Sequence, residues 1–183
     1  LQVNYSISEK SLKTEYIVKN PSDKNNLYFS IGAHPAFNCP FEKNQKRSEY
    51  ILICDKMLSP KSLDRNDGLI VNSTSSVFKQ DGIIALPDFI FDNDALIFNS
   101  NPFSKITIVH KPTQKKYLSV AFKNYPFLGI WSKNSTSPYI CIEPWHGITD
   151  YENHNKELTE KEGIIKLTPK ETFSCNFTIE ILN

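Results

Sequence analysis

Polar and apolar residues alternate over many short stretches of this chain, and no stretch repeats its apolar residues convincingly at the spacing of an amphipathic helix. The last stretch is the clearest: Phe173, Cys175, Phe177, Ile179 and Ile181 are interleaved with Ser174, Asn176, Thr178 and Glu180. A period of two sends alternate side chains to opposite faces of a strand. Strands are predicted over 2–8, 12–18, 27–31, 50–54, 68–71, 76–78, 95–98, 105–110, 117–122, 127–132, 139–143, 164–167 and 173–182. The first two read as a hairpin turning at Glu9-Lys10-Ser11, and Asn20-Pro21-Ser22-Asp23-Lys24-Asn25-Asn26 as a loop of residues that bond their own backbone. The best helical candidate, Asn155 to Glu160, is polar on every side and reads better as a loop. Many short strands with no internal repeat point to an all-β, antiparallel sandwich or barrel with very little helix.

Composition narrows the partners more than the fold. The chain has 183 residues, enough for a single domain whose core stands without disulfides or metal. Its 21 basic and 20 acidic residues leave a net charge of +1, so no strong field exists for nucleic acid or a membrane surface, and a small, non-polyanionic partner is expected. Only Arg47 and Arg65 are arginines, which weakens a case for bidentate phosphate clamps. Cys39, Cys54, Cys141 and Cys175 form no close C-x-x-C pair, so buried free thiols in a reducing compartment are expected. With no apolar run of membrane-spanning length and no leader-like start, the expected location is the cytoplasm. The chain opens on Leu1, and a fragment or processed piece is expected.

Four segments carry residues suited to chemistry. In Ile31-Gly32-Ala33-His34-Pro35-Ala36-Phe37-Asn38, an imidazole follows an apolar strand between a glycine that permits unusual backbone angles and a proline that stiffens the exit. Such a side chain is aimed well for proton transfer, and equally reads as a packed turn histidine. Phe91-Asp92-Asn93-Asp94-Ala95-Leu96-Ile97-Phe98 sets two carboxylates before a strand, as ligand groups or as a solvated turn cap. Tyr139-Ile140-Cys141-Ile142-Glu143-Pro144-Trp145-His146 delivers an acid and an aromatic face to a bend, an arrangement that holds sugars, though Trp145 also reads as core and Glu143 as a lysine partner. Glu143, His146, Asp150 and His154 match no standard zinc spacing, so no metal site is expected. Leu167-Thr168-Pro169-Lys170-Glu171-Thr172-Phe173 is a strand, turn and strand with Glu171 near the tip, on its own an ordinary exposed carboxylate.

In this order, Gly32-Ala33-His34-Pro35-Ala36-Phe37, Asp94-Ala95-Leu96-Ile97-Phe98, Cys141 to Asp150, and Leu167 to Phe173 resemble the aldose 1-epimerase (galactose mutarotase) family, in particular a bacterial mutarotase-like branch with a Glu-Pro-Trp element. The resemblance covers most of the chain. It implies a twisted antiparallel β-supersandwich of the galactose mutarotase-like kind, binding a free hexose in a shallow cleft and interconverting its α and β anomers without a cofactor. By the same resemblance His34 protonates the ring oxygen and Glu171 takes the proton of the anomeric hydroxyl. Asp94, or with less support Asp92, binds sugar hydroxyls. Glu143 and Trp145 occupy the segment where classical members hold sugar through a Glu-Thr-Gln element, so Trp145 replaces an amide by an aromatic surface. Family members also carry a histidine and an arginine upstream of Gly-x-His; nothing before Leu27 matches them, so the chain is expected to be the C-terminal part of the usual domain, without its N-terminal strands. Two other functions suit the same residues. One is a non-catalytic carbohydrate-binding module using Trp145. The other is a hexose-6-phosphate 1-epimerase, which the scarcity of arginine disfavours.

Overall fold

In the computed structural model, which describes residues 1–182, the alternating stretches become strands: β1 (Gln2–Ser8), β2 (Ser11–Lys19), β3 (Leu27–Phe29), β4 (Ala36–Asn38), β5 (Tyr50–Cys54), β6 (Ser62–Asn66), β7 (Leu69–Ser75) and β8 (Ile83–Ala85) in the first half. The second half supplies β9 (Leu96–Asn99), β10 (Lys105–His110), β11 (Lys115–Phe122), β12 (Phe127–Trp131), β13 (Tyr139–Trp145), β14 (Ile165–Leu167) and β15 (Thr172–Ile181). Helix is confined, among the described residues, to three short 3-10 turns at Arg47–Glu49, Asp88–Phe91 and Leu158–Glu160. The last of these falls inside the polar stretch read as a loop.

These named strands pair antiparallel in two large sheets and one small one. A seven-stranded sheet runs in the order β1-β2-β15-β11-β10-β5-β8, and a six-stranded sheet in the order β4-β13-β12-β9-β6-β7; β14 and β3 pair separately. The core lies between the large sheets, with Leu52, Ile106, Ile108, Val120 and Phe122 on one side and Phe98, Leu128, Ile130, Ile140 and Ile142 on the other, all fully or almost fully buried. Burying that apolar surface is the main favourable term holding the sheets face to face.

The six-stranded sheet is also apolar on part of its outer face. There Ile97 of β9, Phe127 of β12, Ile70 of β7 and Ile148 form a second buried cluster, with Leu63, Ala95, Trp145 and Tyr151 against it. This accounts for β12 and β13, whose sequences Phe-Leu-Gly-Ile-Trp and Tyr-Ile-Cys-Ile-Glu-Pro-Trp hardly alternate. Strands covered on both faces need no polar side.

The sequence-based strands differ from the structure in places. Residues 76–78 are not a strand: β7 ends at Ser75, and Val77 and Phe78 fold onto the core as irregular backbone. Strands β4, β6 and β8 escape detection because two have three residues and the other, Ser-Leu-Asp-Arg-Asn, is polar, so neither length nor periodicity marks them.

Candidate functional site

The segment carrying His34 is laid along the free edge of β13. Gly32 bridges Trp145, β4 pairs Ala36 with Cys141, and the backbone is tied further by Ala33 N–H to Pro144 O (3.0 Å) and His146 N–H to Ile31 O (2.8 Å). The same register sets His34 opposite Glu143, on the sheet face away from the main core. Cross-strand neighbours of an antiparallel pair are close enough to interact. Accordingly His34 Nε2 lies 3.4 Å from Glu143 Oε2, with the imidazole largely in solvent and the carboxylate almost wholly buried.

Glu143 is therefore a desolvated acid beside an accessible base. Burial, then the nearby negative charge of Asp94, pushes its carboxyl up to about 7, while a hydrogen bond from the Trp145 side chain pulls the other way. Its proton is exchanged near neutral pH, the range in which general acid–base groups are effective.

Trp145 owes its position to two glycines. A Cβ on Gly32 would lie 2.5 Å from Trp145 Cδ1, and one on Gly129, the β12 residue paired with Glu143, would lie 2.6 Å from Trp145 Cζ2. Gly32 does not have a positive φ; it is needed for space, so the expectation that it relaxes a turn angle gives way to one of close approach. The indole is half-buried against the outer cluster, so it serves as packing and as an exposed rim at once.

Asp94 closes the other side of the site. It has the left-handed φ of 73° that Asp and Asn tolerate better than most side chains, its Oδ1 accepts a hydrogen bond from Ala95 N (2.8 Å), and its Oδ2 pairs with Arg65 Nη1 at 2.9 Å. Arg65 also donates to Ala95 O (3.0 Å) and leaves its buried Nε without a partner. Asp92, the alternative carboxylate, ends the Asp88–Phe91 turn in solvent and is not among the groups that perturb Glu143. Arg65, Asp94 and Ala95 line a depression of about 540 Å³, and Gly32, His34, Trp145 and Thr149 floor a separate, shallower one of about 350 Å³. A larger groove of about 710 Å³ around Asp55, Asn101 and Lys123 lies away from all these residues.

Glu171 lies in the turn between β14 and β15. Its Oε2 accepts a hydrogen bond from Thr168 N (2.6 Å), and its backbone carbonyl accepts one from Asn20 N (2.9 Å). Among the described residues, no hydrogen bond or ion pair joins it to His34. The would-be metal group also fails to converge: Asp150 binds Lys161, His154 Nδ1 is 3.9 Å from Asp150, and His146 is turned against Tyr125 and Phe173, where burial lowers its pKa. All four cysteines are free and buried.

Four residues of the site escaped the sequence reading. Trp131 meets His34 edge-on, with centroids 5.8 Å apart; Cys141 lies two residues before Glu143 on the same strand face; Gly129 makes room for the indole; Arg65 pairs with Asp94. Period-two parity from Glu143 would have found Cys141. The other three depend on which strands are neighbours, and no local pattern records that.

The chain is similar to several known proteins. Residues 1–167 match the family model described as aldose 1-epimerase. The chromosomal and plasmid forms of protein LacX from Lactococcus lactis subsp. lactis are each 30% identical over 186 residues; the match takes in all of this chain and 62% of theirs. A galactose mutarotase related enzyme from Lactobacillus acidophilus is 29% identical with a TM-score of 0.87, covering 99% of this chain and 60% of that one. A galactose mutarotase-like protein from Lactobacillus casei, at 21% identity, shares the fold with a TM-score of 0.84 over 98% of this chain and 62% of its own. The chain thus spans about three-fifths of the length of these relatives, and its antiparallel all-β architecture is of the galactose mutarotase-like kind. Matched along most of its length, the chain belongs to the aldose 1-epimerase family.

Proposed function

We propose that the protein is a mutarotase-like isomerase that interconverts the α and β anomers of a free hexose, with His34 as the acid at the ring oxygen. The observation that carries this reading is the 3.4 Å approach of His34 Nε2 to the buried carboxylate of Glu143 on an open sheet face. Glu143 orients the imidazole and holds a proton for it at neutral pH. Family resemblance supports Glu171 as the base that takes the anomeric hydroxyl proton. As that proton leaves, the C1–O5 bond breaks and O5 takes a proton from His34, giving the open aldehyde. Rotation about C1–C2 and the reverse transfers close the ring on the other face. Each transfer contributes about 10²–10⁴-fold, sufficient for a reaction that already runs unaided in water. Asp94 and the exposed rim of Trp145 would hold hydroxyls and the C–H face. The four free, buried thiols favour a reducing, cytoplasmic setting.

A second reading, a non-catalytic sugar-binding sheet, is favoured by one observation: the Glu171 carboxylate is engaged with Thr168 N and, among the described residues, forms no hydrogen bond or ion pair with His34. Polarimetry on freshly dissolved α-glucose and α-galactose separates the two. The enzyme reading expects faster equilibration than buffer alone, lost in His34→Ala and Glu171→Gln. Activity retained in Glu171→Gln but lost in Glu143→Gln would transfer the base to Glu143. Saturable sugar binding with no gain in rate would establish the binding module in place of the enzyme. Arg65 is already paired with Asp94, so glucose 6-phosphate should compete no better than glucose.

A further inference from the structure

His34, Cys141 and Glu143 bring three different donor atoms to one point of the outer sheet face. An imidazole nitrogen, a thiol sulfur and a carboxylate oxygen all lie within 4.8 Å of one another. Two of the donors are rigidly placed, because Cys141 and Glu143 alternate on β13 toward the same face and are 1% and 2% exposed. His34 is the exposed one, so the group is reached from solvent through the side chain that moves most easily. We infer that this triad is a binding site for a thiophilic divalent cation of the Zn²⁺ class, with the fourth position open to water.

The donor chemistry selects the ion. A thiolate with an imidazole suits Zn²⁺ or its spectroscopic substitute Co²⁺, whereas Mg²⁺ and Ca²⁺ require oxygen ligands. Metal–ligand bonds of about 2.0–2.3 Å in a tetrahedron bring donors closer together than 4.8 Å; His34 Nε2 and the Glu143 carboxylate, 3.4 Å apart, already meet that spacing, and small side-chain rotations close the rest. On binding, the Cys141 S–H bond breaks, its proton passes to solvent and its electron pair forms the metal–sulfur bond. The bound cation also meets the negative charge of Asp94 beyond Glu143, which Arg65 only partly offsets. Where the mutarotase reading holds, the cation removes His34 and Glu143 from proton transfer, so the same triad is an inhibitory site.

A Co²⁺ titration of the purified chain followed in the near ultraviolet tests the site without reference to activity, since only a thiolate ligand produces a strong sulfur-to-cobalt charge-transfer band. The expected result is a saturable band in the wild type, absent in Cys141→Ser and unchanged in Cys175→Ser. In His34→Ala, an exposed position that the fold does not depend on, Co²⁺ affinity should drop by roughly tenfold or more, as losing a ligand costs at least what losing its supporting partner does. Absence of the band in folded wild-type protein, or its persistence in Cys141→Ser, overturns the site. Zn²⁺ should in addition suppress any measured anomer exchange and a chelator restore it; exchange insensitive to bound Zn²⁺ overturns the inhibitory role alone.

Discussion

Glu143 is held out of water by its place on β13, and its acidity records that. The ordinary value of 4.5 is raised to about 7, so the folded protein holds this proton more tightly than the unfolded chain does. The stability it contributes is therefore complete below about pH 4.5 and declines as pH rises through about 7. Glu143→Gln removes that dependence. Urea midpoints measured from pH 4.5 to 8 should show wild type losing on the order of 3 kcal/mol relative to the variant across this window, with no further change above it. A difference that stays constant with pH would mean that the carboxylate is hydrated. His34 could be singled out from its Gly-x-His-Pro setting because turn chemistry is local. That Glu143, singled out separately, is its partner was not legible, since the two are more than a hundred residues apart and meet only through the register of one strand edge.

Among the elements, β12 and β13 build the site, and their junction is a tryptophan laid on a glycine. Gly129→Ala places a methyl group 2.6 Å from Trp145 Cζ2, which forces the indole off the outer cluster. The expected cost is about 1–3 kcal/mol of overpacking, read from urea midpoints, with a shift in tryptophan emission as the ring is displaced. Unchanged emission and stability would refute the close packing. The poor alternation of these strands was visible in the sequence and signals two covered faces, yet it does not say what covers them. Trp131 is indistinguishable from a core residue, and Trp145 reads as platform or as core, until the pairing of β12 with β13 and of β13 with the His34 segment is known.

For the molecule as a whole, the seven-stranded sheet extends beyond its cover. At its edge β1 shows Val3, Tyr5 and Ile7 on the side whose partners on β2 include buried Thr14 and core-packed Tyr16, yet Tyr5 is 69% and Ile7 84% exposed. An apolar edge strand of this kind is a template for association. Replacing Tyr5 and Ile7 together by threonine keeps residues that favour strands while removing the apolar strip. The double variant should bind less of an apolar dye and scatter less light at high concentration, with its urea midpoint unaltered; scattering equal to wild type would dissociate the strip from self-association. At this scale the chain's own pattern already specified an antiparallel all-β architecture, the strand-ending imidazole and the family motifs, because strand periodicity, turn chemistry and motif order are written in neighbouring residues. The pairing of His34 with Glu143, the entry of Trp131, Cys141 and Arg65 into the site, and the engagement of Glu171 in its own turn followed from strand register and sheet order. Those are set by burying apolar surface between distant segments, a balance taken over the whole chain at once.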